Sequence, residues 1–202
     1  MFTGIIRNLG RLEELEKSGT SLRLRISSDL REKLQIDQSV SHDGICLTVD
    51  QLFPNSYGVT AVKETIDKTT IGSWKAGKTI NLETAATPSS ALDGHIVQGH
   101  VDGMSQILKI EEVGGSWYFY FSIDSDNAHL LVKKGSISIN GVSLTIADLK
   151  EDIFSVAIIP YTYEHTSFSG LQKGDWVNIE YDLIGKYVAR MLQMRGSVDH
   201  PK

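Results

Sequence analysis

The chain repeats itself. DGICLTV at residues 43–49 returns as NGVSLTI at 140–146, with Gly, Leu and Thr identical and the other four positions conservatively exchanged. At the same offset of 97, KETIDKTTIGSWKAGKTINLET (63–84) matches PYTYEHTSFSGLQKGDWVNIEY (160–181). Thr65 then falls on Thr162, Thr69 on Thr166, Gly77 on Gly174, Asn81 on Asn178 and Glu83 on Glu180. Nearer the start, FTGIIRNL (2–9) aligns with VQGHVDGM (97–104) at an offset of 95. That alignment sets Gly4 on Gly99 and Ile5 on His100, and it implies a small insertion further along the second half. Separate blocks repeated in one order mean a duplicated domain. The 202 residues thereby divide into two units of roughly 100, each with a modest core. The expected bounds are 1–93 and 94–182, followed by a C-terminal helix and tail at 183–202. The seam is expected in AATPSSALD (85–93), a small, polar stretch with Pro88 that reads as a loop.

Each unit reads as β. In SLRLRIS (21–27), Leu22, Leu24 and Ile26 alternate with Arg23 and Arg25, the period of a half-buried strand. WYFYFSI (117–123), ICLTVDQLF, YGVTAV and TINLET supply further short, strand-prone runs between turn residues. The fold class is therefore all-β, and short strands with turn signals predict a small closed barrel in each half. One short helix per half is expected, in SSDLREKL near Asp29 and in DSDNAHLLVKK near Ala128. Outside the repeat, LIGKYVARMLQM (183–194) spaces Ile184, Tyr187, Val188 and Leu192 as an amphipathic helix. Two destinations stand open for its apolar face, another chain or its own barrel. RGSVDHPK (195–202) is expected to fray.

Composition narrows the function. The net charge of -5 is spread along the chain without a basic block, so nucleic acid is not an expected partner. One cysteine allows no intrachain disulfide and suits a reducing cytoplasm. The opening MFTGIIRNLGRLEE lacks the apolar core of a signal peptide, and no run approaches the length of a membrane span. GxGxxG, GxSxG and HExxH are all missing. His95 and His100, in GHIVQGH, have no cysteine near them in sequence, so zinc is not expected.

What remains is polar side chains at mirrored places. DG and NG predict tight turns with exposed backbone N–H groups. The strands that follow put Cys46 and Thr48 on one face, and Ser143 and Thr145 on the twin face. A lone strand threonine is ordinarily just a good β-former. Matched pairs point instead to two copies of a pocket offering hydroxyls, amides and backbone groups to a flat polar heterocycle with a polyol tail. The copies differ where Ile5 becomes His100, Cys46 becomes Ser143 and Ala85 becomes Asp182. Duplication followed by such divergence suits a donor site and an acceptor site for two copies of one molecule.

MFTGII, DGICLTV, DGHIVQGHVDG (93–103), KGSISINGVSLTI (134–146), IPYT (159–162) and VNIEYD (177–182) together resemble riboflavin synthase of the trimeric barrel type. The resemblance spans both halves and the C-terminal helix. It implies two tandem six-stranded Greek-key β-barrels and a homotrimer joined through C-terminal helices. It also implies a working site between the N-terminal barrel of one chain and the C-terminal barrel of its neighbour. The implied reaction takes two molecules of 6,7-dimethyl-8-ribityllumazine per active site and moves a four-carbon unit from one to the other. The products are riboflavin and 5-amino-6-ribitylamino-2,4-pyrimidinedione, with no metal or redox cofactor. The resemblance admits association with a lumazine synthase capsid. A non-catalytic lumazine- or flavin-binding antenna protein of the same fold is the alternative.

Carried over position by position, the N-terminal pocket would use Gly4, Ile5 and Ile6, then Cys46, Leu47 and Thr48, then Thr60, Ala61, Val62, Lys63, Glu64 and Thr65. The C-terminal pocket would use Gly99, His100 and Val101, then Lys134, then Ser143, Leu144 and Thr145, then Ile158, Ile159, Pro160, Tyr161, Thr162 and Tyr163. Catalytic roles fall to His100 as proton carrier and to Asp182 as the group that orients or charges a proton carrier. Cys46, Ser39 and an activated water compete as nucleophile. Two departures stand out: Asp43 occupies a place where the family often has Asn, and the tail after Met194 has no counterpart.

Overall fold

A computed structural model describes residues 1–196. The first half holds β1 (Asn8–Ser18), β2 (Ser21–Ser27), β3 (Ser39–His42), β4 (Ile45–Leu52), β5 (Ser56–Ala61), a helix α1 (Lys63–Lys68) and β6 (Thr79–Thr84). The second half repeats this as β7 (Gly103–Val113), β8 (Ser116–Ser122), β9 (Ser136–Ile139), β10 (Val142–Lys150), β11 (Ile153–Ile158), α2 (Pro160–His165) and β12 (Trp176–Tyr181). A helix α3 (Leu183–Gly196) follows. Each set of six strands closes into an antiparallel barrel, in the order β1-β2-β5-β4-β3-β6 and its exact counterpart β7-β8-β11-β10-β9-β12.

The alternation read in SLRLRIS holds: Leu22, Leu24 and Ile26 point into the first core, packed with Val40, Val49, Tyr57, Val59, Ile80 and Leu82. The second core, around Phe119, Phe121, Phe154 and Phe168, is more aromatic. Bulges break the register between Leu12 and Glu14 and between Val49 and Gln51, and again at Ile107/Lys109 and Ile146/Asp148. A bulge bends its strand, and a short sheet must bend to close. Duplication has copied the bends along with the strands.

The helical expectations need correction. SSDLREKL and DSDNAHLLVKK form only 3₁₀ turns, Asp29–Lys33 and Ser125–Leu130, capped by the Ser28 and Asp124 side chains. The short α-helices lie instead at α1 and α2, in segments whose apolar pattern is too brief to register as helical. The two inserted residues sit in the second 3₁₀ segment, because Ser21 matches Ser116 at 95 while Leu34 matches Leu131 at 97. The seam 85–93 is loop, as expected. Helix α3 does not fold its apolar stripe back: Ile184, Tyr187, Val188, Met191 and Leu192 are each half or more exposed. The tail expected to fray lies outside the described residues from 197 onward. Among the described residues no helix is long and apolar enough to cross a membrane.

The barrels meet through their hairpins. Asp43-Gly44 and Asn140-Gly141 have positive φ at both positions, the signature of a two-residue type I′ turn. These turns are tight as read, but they are buried against each other rather than exposed. A Cβ on Gly44 would sit 2.8 Å from the Gly141 backbone nitrogen, so only glycine fits. Two asparagines satisfy the buried backbone. Asn81 Nδ2 donates to the Asn140 carbonyl and Asn81 Oδ1 accepts from Ser167 N–H. Asn178 Nδ2 donates to the Asp43 carbonyl and its Oδ1 accepts from Thr70 N–H.

Candidate functional site

The segments leading into the two barrels cross over. They pair with each other through Phe2 and Val97, and each then runs to the opposite barrel. Gly99 C=O accepts from Cys46 N–H at 2.8 Å, and Val101 packs on the first core. Gly4 C=O accepts from Ser143 N–H at 2.7 Å, and Ile6 packs on the second core. Gly4 and Gly99 both have positive φ, and a Cβ on either would come within 2.6 Å of the Ser143 or Cys46 Cβ. The grouping expected from the sequence is therefore reversed. Gly99, His100 and Val101 belong with Cys46, and Gly4, Ile5 and Ile6 belong with Ser143. The contacts that decide this are backbone carbonyls, which every residue carries.

The first site is a cleft of about 420 Å³ lined by Cys46, Glu64, Thr65, Lys68, Thr69, Gly99, His100, Val101, Asp102 and Lys186, with Ile45 at its base. Strand β4 carries the half-buried Cys46 thiol on its outward face. Leu47, the next residue, points into the core, and Thr48 returns to the outward face, exposed. Ser39 pairs across from Thr48, so a second hydroxyl lies on that face. Helix α1 brings Glu64 and Thr65. Glu64 pairs with Lys68 at 3.1 Å, and Lys63 with Asp67 at 2.6 Å. Asp102 and Lys186 form a tight pair at 2.6 Å, and Asp102 also accepts from Tyr181 N–H. Lys186 belongs to α3, so the root of the terminal helix is part of this wall. Thr60 turns away: its hydroxyl donates to Asp50, and it lines a separate groove with Arg23 and Arg25. Ala61 is buried beside it, and the exposed Val62 immediately precedes α1.

The twin site departs from this chemistry. Ser143 Oγ lies 2.6 Å from His95 Nδ1. Burial pushes the His95 imidazole below its ordinary range, and the Asp182 charge opposes that shift. Burial thus favours the neutral imidazole beside the hydroxyl. Asp182 lies close enough for its charge to act on His95, and its Oδ1 accepts from Ile184 N–H at the start of α3. The two histidines of GHIVQGH therefore serve different barrels, His95 the second and His100 the first. Thr145 is exposed two residues beyond Ser143, with Leu144 half-buried between them. Ile158 is fully buried in the second core, while Ile159 is exposed and leads into Pro160 at the start of α2. Where α1 offers Glu64 and Lys68, α2 offers Tyr161 stacked on His165 at 4.2 Å. Tyr163 stacks on Trp117 at 3.8 Å, and the Thr162 carbonyl accepts from the Thr166 hydroxyl. Lys134 lies in another groove, with Tyr118, Tyr120 and Asp148.

Two carboxylates that the sequence reading aligned but gave no role hold the crossing segments. Glu83 accepts from Thr3 N–H, the Thr3 hydroxyl and Gly4 N–H at 2.7, 2.7 and 2.9 Å. Glu180 accepts from Gln98, Gly99 and His100 N–H at 2.6, 2.9 and 3.1 Å. Burial pushes both carboxyls upward, and the converging N–H groups pull them back down. The signal was present: two buried polar residues, Asn and Glu, recur in register in TINLET and VNIEY.

Comparison with known proteins fits this pair of unequal, interlocked sites. The lumazine binding domain model matches twice, at residues 3–85 and 98–182. Riboflavin synthase of Bacillus subtilis (strain 168) is 40% identical over 193 residues, which covers 95% of this chain and 90% of that one. The chain belongs to the riboflavin synthase family. The riboflavin synthase of Actinobacillus pleuropneumoniae is 32% identical, covering 100% of this chain and 94% of its own. Among solved structures, LumP complexed with riboflavin superimposes with a TM-score of 0.84 at 25% identity, over 90% of this chain and 99% of that one. LumP complexed with 6,7-dimethyl-8-(1'-D-ribityl) lumazine gives 0.81 at 26% identity, over 89% and 98%. Family and architecture thus agree: tandem lumazine-binding barrels in an enzyme of the riboflavin synthase type.

Proposed function

We propose that this protein converts two molecules of 6,7-dimethyl-8-ribityllumazine into riboflavin and 5-amino-6-ribitylamino-2,4-pyrimidinedione. The carrying observation is the pair of homologous but chemically unequal sites, one with Cys46 and His100, the other with Ser143 and His95. Two like pockets suit two identical substrates, and unequal side chains suit unequal fates. The atoms of two lumazines equal those of the two products, so the reaction calls for no external oxidant or reductant. The 7-methyl group of the lumazine is acidic because its anion delocalises into the ring. The remaining task is to align two rings and move protons. Ideal alignment supplies up to about 7–11 kcal/mol of a barrier, and acid–base help adds roughly 10²–10⁴-fold.

In this reading His100 carries protons at the first site, and Cys46, Ser39 or a water held there attacks ring carbon 7 of the acceptor. Asp182 acts through His95 at the second site. The exposed stripe of α3 joins three protomers, and the working site combines the first site of one protomer with the second site of its neighbour. Lys186, on α3 and in the first cleft, ties assembly to the site. The enzyme works in the cytoplasm, with Cys46 reduced and lumazine synthase as an associated partner. The test is direct: mix the protein with 6,7-dimethyl-8-ribityllumazine and follow riboflavin absorbance. Bound chromophore without riboflavin formation would leave the antenna alternative standing. His100→Gln and Cys46→Ser, each checked for intact assembly, test the roles. Full turnover in both overturns them.

A further inference from the structure

Val101 and Ile6 pack on the barrels their segments serve, but the side chain that gathers the backbone N–H groups of each segment comes from the other side. Each is held from behind, by a carboxylate of the barrel it leaves. Glu180 belongs to β12 of the second barrel, yet the N–H groups it gathers belong to the residues that close over Cys46 of the first. Glu83 belongs to β6 of the first barrel, and it gathers the residues that close over Ser143 of the second. The left-handed backbone at Gly4 and Gly99 turns successive N–H groups toward one anion, while the glycine carbonyl faces the other barrel.

We propose that Glu180 and Glu83 are positioning residues that act across the barrel boundary, Glu180 setting the Cys46–His100 site and Glu83 setting the Ser143–His95 site. The proposal rests on the reading above only for the reaction those sites perform. A carboxylate is required because both oxygens accept. Glutamine would present an NH₂ group to a backbone N–H, setting donor against donor, while filling the same volume. Loss of the anchor frees the segment, and the first consequence appears at the side chain under it. For Glu180 that is the only thiol in the chain, whose Cβ is covered by Gly99.

Thiol alkylation by iodoacetamide, read by intact mass, tests this without substrate, so its outcome is independent of which reaction the protein catalyses. Glu180→Gln should speed alkylation of Cys46 about tenfold or more, and Glu83→Gln should leave it within about twofold. In a Cys46→Ser, Ser143→Cys background the pattern should invert, with Glu83→Gln speeding the new thiol and Glu180→Gln leaving it alone. Thr3→Val, which removes the hydroxyl that donates to Glu83 and accepts from Ile5 N–H in the same segment, should speed the Ser143→Cys thiol by a smaller factor. It serves as the deciding variant if either glutamine substitution prevents folding. A merely structural loosening speeds both thiols alike. Equal acceleration at both, acceleration confined to the carboxylate's own barrel, or none in any variant overturns the proposal.

Discussion

The first core contains a polar pair that its twin lacks. His42 is fully buried, with Nε2 2.9 Å from the Tyr57 hydroxyl, where the second barrel has Ile139 and Phe154 at the matching positions. Burial drives the imidazole from 6.5 down to about 4, against the backbone groups of Val40 and Ile45 that favour the charged form. A depressed folded pKa means the unfolded chain takes up a proton first. The stability this neutral histidine contributes is therefore present above pH 6.5 and lost as pH falls toward about 4. The loss comes to roughly 3 kcal/mol over that window. His42→Ile with Tyr57→Phe copies the second core. It removes both hydrogen-bonding partners at once, so its cost near pH 7 should be within about 1 kcal/mol. Either substitution alone strands a buried polar group and should cost about 1–3 kcal/mol. The assay is urea unfolding of parent and variants across that pH window. The double variant should gain on the parent by roughly 3 kcal/mol as the lower end is reached. The comparison must be a difference between proteins, because burial raises the Asp43 pKa and that contribution grows as pH falls. If the double variant tracks the parent at every pH, the reasoning about His42 fails.

Other expectations follow from the same geometry. Asp43→Asn, which copies Asn140, should change stability near neutrality by no more than about 1 kcal/mol and remove the gain on acidification. Lys78→Met strands the buried Asp43 carboxylate, whose Oδ2 lies 3.1 Å from the ammonium, and should cost about 3–5 kcal/mol in chemical unfolding. Asn178→Ala leaves Thr70 N–H and the Asp43 carbonyl unpaired between the barrels and should cost about 2–4 kcal/mol, read by thermal unfolding. Val188→Glu with Leu192→Glu should yield folded monomers by light scattering and abolish riboflavin formation. Retention of the parent's mass would refute assembly through α3.

Much of the site was legible in separate pieces. Cys46, Thr65, Glu64 and His100 were each singled out, and they do share a cleft. Only His100 was assigned elsewhere, because carrying the family's positions over kept the residues near the start of each half with that same half. Asp182 was matched to a proton carrier in general terms; the structure places it with His95, a residue weighed only as a metal ligand. Asp43 was noted as a departure, but its compensation by Lys78, where the twin barrel has Asp175, needed the fold to bring residues 35 positions apart into contact.

Duplication, alternating apolar positions and paired turn signals lie in the order of residues alone, and they determined two equal small closed barrels with matched polar faces; the count of six strands in each came with the family resemblance. They could do so because side-chain alternation and two-residue turns are governed by neighbours in sequence. The crossing of the segments, the burial of the hairpin turns and the assignment of each histidine to its barrel were decided only in three dimensions. Those choices rest on backbone carbonyls and N–H groups meeting across a pseudo-symmetric boundary. There, a segment that stays with its own barrel and one that changes sides carry the same local pattern.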